Sequence, residues 1–211
     1  MIVELILLIP VILLSLAVHE FSHGKAADML GDPTPRAMGR LTLNPIPHLD
    51  PIGVLVLVLT RRFGWAKPVP INPRNFRNPL RDTMIVSVAG PASNIVLAFV
   101  FSLVFRFVFF LINAGVVAFT MGSVSHIILQ MIQLGITINI ALAIFNLLPI
   151  PPLDGSKILR GLLPYRFHEY LNMLEGPYGF MIILLLLVTG VLGMIVSPII
   201  MFLYNLLLIG L

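Results

Sequence analysis

Two histidines, His19 and His23, flank Glu20 in the run His19-Glu20-Phe21-Ser22-His23. On a helix, a spacing of four residues puts both imidazoles on one face, where they can reach a single metal ion. The carboxylate beside the first histidine then sits where it can take a proton from water activated by that metal. This H-E-x-x-H pattern is the chemistry of zinc-assisted hydrolysis. Such a site needs three protein ligands and one open position for water. The third ligand has to come from elsewhere, and the candidates are His48, Asp50, His126, Asp154 and His168. Asp154 fits best on physical grounds. It follows an apolar run broken by prolines, an ionisable group at membrane depth is costly without a partner, and a carboxylate oxygen is a normal zinc ligand at roughly 2.0–2.2 Å.

The elements that must position these groups are almost entirely apolar. Of the 211 residues, 58% are hydrophobic and 10% charged, and the mean hydropathy is +1.04. A soluble domain carries roughly 25% charged residues, so this composition describes a polytopic membrane protein. The pattern predicts spans at about 4–30, 83–112, 125–148 and 178–210, the last as one kinked span or two short ones. Residues 1–211 then form a single integral-membrane domain. The first run has no basic leader and continues into the H-E-x-x-H motif, so it reads as a retained span rather than a cleaved signal. Residues 31–82 are the most polar and proline-rich stretch. Within them, the run at 52–60 is too short to cross a bilayer as a helix, and its Val and Leu content suits a strand or a re-entrant segment. A small β element at the membrane surface, covering the mouth of the site, is therefore expected between the first two core spans. An edge strand within 39–60 could hold an unwound substrate by strand addition. The basic and aromatic cluster at 61–70 suits the headgroup layer, and residues 156–175 read as interfacial helices. The fold class is all-α, with a three-helix core and additional C-terminal span or spans.

Charge gives the orientation. Nine of the thirteen Lys and Arg residues lie between Lys25 and Arg81, and three more between Lys157 and Arg166. Two spans separate these segments, so the positive-inside rule puts both in the cytoplasm and opens the metal motif toward it. The net charge of +4 comes from residues flanking apolar runs rather than from a regular basic face, which argues against a nucleic-acid partner. The partners expected are the lipid bilayer and a transmembrane protein substrate; the oligomeric state is left open. There is no cysteine, so thiolate ligands and disulfides are excluded.

Two motifs together resemble the site-2 protease family of intramembrane zinc metalloproteases. One is His19-Glu20-Phe21-Ser22-His23. The other is Asn146-Leu147-Leu148-Pro149-Ile150-Pro151-Pro152-Leu153-Asp154-Gly155, which matches N-x-x-P-x-x-x-x-D-G. Ala89-Gly90-Pro91 on the middle span extends the likeness over most of the chain. The resemblance implies one zinc ion per chain held by His19, His23 and Asp154, with Glu20 as general base and Asn146 near the reacting carbonyl. The chain resembles the short prokaryotic branch, with no insertion large enough for a PDZ domain and no CBS module. The activity implied is peptide-bond hydrolysis in transmembrane or membrane-associated proteins.

Other readings compete at several residues. A buried His/Asp site also suits a metal-ion or proton transporter, although the chain has no internal repeat and transport gives Glu20 no task. A non-catalytic scaffold retaining the metal is a third reading. Asp154 could be a turn aspartate, and Asn146 could tie helices together through its amide. His48 and Asp50 could support a loop or contact substrate. His126 and His168 read as interfacial residues, Asn94 as packing glue, and Arg106 as a snorkelling side chain. Ser22 and Ser93 lack the partners of a serine nucleophile.

Overall fold

The computed structural model describes residues 2–60 and 64–209. Helix α1 (Ile2–Met29) is followed by the one-turn α2 (Thr34–Ala37) and the short α3 (Pro51–Thr60). The long α4 (Pro79–Asn113) and α5 (Val124–Asn146) complete a three-helix core with α1. Then come α6 (Asp154–Leu162), α7 (His168–Leu174), α8 (Pro177–Val188) and α9 (Val191–Leu208). Four of these, α1, α4, α5 and α9, are long and apolar enough to cross a membrane. The expected fourth span divides at Thr189-Gly190: α9 is long enough to span, whereas α8 has only 12 residues. Paired with the preceding helix it would match a span in length, but the two are bent by 67°.

Caps explain where these helices begin. Helix α4 starts four residues before the expected span because the Asn78 side chain accepts from the Arg81 N–H (3.2 Å) while Asp82 accepts from the Asn78 N–H (3.0 Å). Pro79 occupies the first helical position, where its missing N–H costs nothing. Ser123 caps α5 in the same way through the His126 N–H. The interior joining α4 and α5 is built from Ala98, Phe105, Leu129, Ile132, Ile136 and Ile140, with Leu203 and Tyr204 of α9 packed against it. Arg106 does more than snorkel: its guanidinium donates to the carbonyls of Leu207 and Ile209, both at 2.8 Å, closing the end of α9.

The expected surface β element is not formed among the described residues. Residues 51–60 are helical because the Asp50 carboxylate accepts from the N–H groups of Ile52 (2.9 Å) and Gly53 (2.8 Å), with Pro51 as the first helical residue. Strand character is reduced to one isolated antiparallel bridge, Leu49 to Ala66, and 39–60 contains no edge strand for a substrate to join. A proline-rich strap, residues 64–73, runs beside the site and takes in 64–70 of the basic and aromatic cluster; residues 61–63 of that cluster lie outside those described. Helices do form over 156–175, as α6, α7 and the 3-10 turn between them.

Candidate metal centre

Helix α1 presents His19 and His23 on one face, and their Nε2 atoms lie 3.0 Å apart. Asp154, in the first turn of α6, brings Oδ2 to 3.0 Å from His23 Nε2 and 3.3 Å from His19 Nε2. All three side chains are buried. The outer nitrogens define what this group can hold. His23 Nδ1 lies 2.7 Å from the Val86 carbonyl, which can only accept, so Nδ1 carries the proton and Nε2 turns a lone pair inward. His19 Nδ1 lies 2.6 Å from Asn94 Oδ1 and is set the same way. With both imidazoles neutral, two nitrogen lone pairs and a carboxylate oxygen therefore converge, an arrangement that repels unless a metal ion or a proton lies between them. A tetrahedral ion bound at roughly 2.0–2.2 Å spaces its ligand atoms roughly 3.3–3.6 Å apart, close to the separations here. The donor set fits zinc.

Two glycines allow the convergence. A Cβ at Gly90 would collide with His23 Nε2 and His19 Cε1, so only glycine lets α4 come this close to both imidazoles. A Cβ at Gly155 would meet the Leu147 and Leu148 carbonyl oxygens, so this glycine serves close packing of α6 under the preceding turn rather than flexibility. Burial pushes the Asp154 carboxyl up, whereas the Lys157 ammonium, 3.4 Å from Oδ1, favours the charged form that a metal ligand needs. Glu20 is buried beside the group, and its Oε2 accepts from the Val69 N–H of the strap at 2.8 Å. All four residues line a cavity of about 1180 Å³.

With this geometry in view, the sequence model of Peptidase family M50 matches residues 7–190. The chain belongs to peptidase family M50. Its similarity to curated proteins runs the same way. It is 41% identical over 184 residues to "Putative zinc metalloprotease YwhC" of Bacillus subtilis, covering 86% of this chain and 80% of that protein. It is 32% identical over 193 residues to "Putative zinc metalloprotease Rip2" of Mycolicibacterium smegmatis, covering 89% and 69%. No solved structure was found to match.

Among the other residues singled out in this M50 chain, Asn146 lines the cavity, and its amide donates within its own helix to Leu142 O (2.9 Å). His48 is buried away from the metal group, with Nε2 2.9 Å from Thr42 O and the Arg40 guanidinium 3.5 Å from Nδ1, while Asp50 caps α3; both support the loop. His126 Nδ1 accepts from the Gly122 N–H, and His168 Nε2 contacts Leu163 O. Neither joins the group of three. Asn94, expected as packing glue, ties α4 to α1 and α5 and in addition meets His19, a candidate ligand. Its spacing of four from Gly90 puts both on one face of α4, a signal present in the sequence. The Val69 N–H left no such signal, because it depends on how the strap folds back over α1.

Proposed function

We propose that this peptidase is an intramembrane zinc endopeptidase that cuts transmembrane or membrane-associated proteins, with His19, His23 and Asp154 as zinc ligands and Glu20 as general base. The observation that carries this reading is the convergence of three buried, mutually repelling acceptor atoms beside a buried glutamate, at the head of a mostly apolar cavity. That cavity extends from the metal group past Ile12 and Leu16 of α1 to Phe145 of α5 and to Leu192 and Val196 of α9. Its lining suits a substrate segment that arrives from the bilayer.

Zinc, when bound, supplies a Lewis acid that polarises the substrate carbonyl and lowers the pKa of its water toward about 7. Glu20 takes the proton from the attacking water and returns it to the leaving amine. The second amide hydrogen of Asn146 is available to the carbonyl oxygen as charge builds there. Val86 and Asn94 keep the lone pairs of His23 and His19 turned inward throughout. A helical substrate has its carbonyls tied up in its own hydrogen bonds, so it must unwind to be cut. The Val69 N–H of the strap lies against Glu20, and the distribution of Lys and Arg supports a mouth on the cytoplasmic side.

Replacing Glu20 by Gln tests the assignment. Zinc should remain bound, and cleavage of a model transmembrane substrate should fall by about 10²–10⁴-fold. A transporter or an inert scaffold would have no cleavage to lose, and a Gln variant cutting at the native rate would remove Glu20 from the mechanism.

A further inference from the structure

Beyond the metal group, three buried polar side chains from three different helices form a continuous chain ending at His19. Ser15 of α1, Asn94 of α4 and Asn139 of α5 each have 0% exposure. Asn139 Nδ2 donates both hydrogens, to Gly135 O (2.8 Å) and to Ser15 Oγ (2.9 Å). Its Oδ1 is left as acceptor for Asn94 Nδ2 at 2.8 Å. The other hydrogen of Asn94 Nδ2 goes to the Ser15 carbonyl at 3.2 Å. Ser15 Oγ donates its own proton to Val11 O (2.7 Å), so toward Asn139 it can only accept. Oδ1 of Asn94 is then the atom facing His19 Nδ1 at 2.6 Å.

The direction of this chain is fixed at its anchors. The Gly135 and Ser15 carbonyls cannot donate. Turning the Asn139 amide over would put its oxygen against the Gly135 carbonyl and its NH2 group against that of Asn94, and turning Asn94 over would put its oxygen against two acceptors while pointing an NH2 group at the imidazole. Three apolar side chains would fill this space in a membrane bundle without the cost of burying amides. The polar chain instead uses every amide hydrogen and delivers one outcome, a proton on His19 Nδ1 and a lone pair on Nε2.

We infer that Asn139, whose hydrogen bonds go to Asn94, Ser15 and Gly135 and to none of the three candidate ligands, is a positioning residue for the metal centre: it holds Asn94 in the one orientation that keeps His19 in its metal-binding tautomer. This makes α5, which supplies no ligand, a determinant of metal affinity. The inference rests on the zinc reading above.

The test uses the full chain in detergent or nanodiscs. Zinc affinity is measured by competition with a chromophoric chelator, and the visible spectrum is recorded after cobalt substitution. Asn94→Leu should weaken zinc binding by about 10–100-fold and Asn139→Leu by about tenfold, each with an altered cobalt spectrum. Because Asn139 acts through Asn94, the double variant should bind zinc no more weakly than Asn94→Leu alone. Should the leucine variants misfold, Ser15→Ala removes one anchor of the Asn139 amide without removing an amide, and should weaken binding by about threefold. A folded Asn139→Leu protein with native zinc affinity, or losses that multiply in the double variant, would overturn the inference; so would native affinity in Ser15→Ala if that variant alone folds. A wild-type protein that binds no zinc would instead overturn the metal-centre reading, and the inference with it.

Discussion

His19 and His23 both meet an acceptor at Nδ1, Asn94 Oδ1 in one case and the Val86 carbonyl in the other, so both offer Nε2 to the same point. His19, Glu20 and His23 were legible because the covalent spacing of one helix dictates their shared face. Asp154 was legible as a buried carboxylate in need of a partner. For Asn94 the sequence shows only a face shared with Gly90; its contact with His19 joins residues 75 positions apart and exists only once α4 packs on α1. The same packing makes Gly90 a sensitive position. Gly90→Ala adds a methyl group against both imidazoles, an overpacking cost of roughly 1–3 kcal/mol that falls on the ligands themselves. Metal analysis and thermal unfolding of the purified variant should find a folded protein with little zinc. Full zinc occupancy would mean that close approach of α4 is not required.

At the scale of elements, the polar stretch between α1 and α4 is where the sequence reading departed most from the structure. The Val and Leu content of 52–60 suggested a strand or a re-entrant segment, but Asp50-Pro51 starts a helix, and Pro68, Pro70 and Pro73 keep the strap from joining a ladder. Residues of the strap line the cavity beside the metal group, and Val69 N–H meets Glu20 there. Asp32, fully buried after the end of α1, accepts from the Thr34 hydroxyl, the Asn72 N–H (2.7 Å) and the Asn75 amide (2.7 Å), tying the strap's end to α1. Burial raises the Asp32 carboxyl, but these hydrogen bonds outweigh it and hold the group below its ordinary value. A carboxyl depressed on folding contributes stability that is complete above its unfolded pKa, about 3.9, and is lost as pH falls through the lower folded value. Limited proteolysis with an acid-active protease should therefore find the strap protected at pH 5 and opening progressively below about pH 4. In Asp32→Asn the strap should already be open at pH 5, with little further change on acidification. Equal protection in both proteins at pH 5 would show that Asp32 is not the clamp.

For the whole molecule, composition and the length of the apolar runs pointed to a helical membrane bundle, because a bilayer leaves few alternatives to helices, and the resemblance added its three-helix core. The division of the last apolar run into α8 and α9 was not decidable from a sequence apolar on all sides. Two predictions belong here. Arg106→Leu leaves the α9 end carbonyls without their donor and should lower stability by about 1–3 kcal/mol, read as a reduced thermal midpoint in detergent. The absence of cysteine makes orientation directly measurable: in sealed cells, a membrane-impermeant thiol reagent added outside should label Met121→Cys but not Arg77→Cys, and the reverse pattern would invert the proposed topology. The central claim is that ligands from α1 and α6 assemble one zinc site that cuts peptide bonds within the bilayer. Its most direct test is to reconstitute purified enzyme with a single-span substrate and follow cleavage and zinc content together, before chelation, after it, and after zinc is restored. The account predicts one zinc per chain, cleavage within the substrate's membrane segment, loss of both on chelation, and recovery of both with zinc. Cleavage that persists in protein stripped of metal would contradict it.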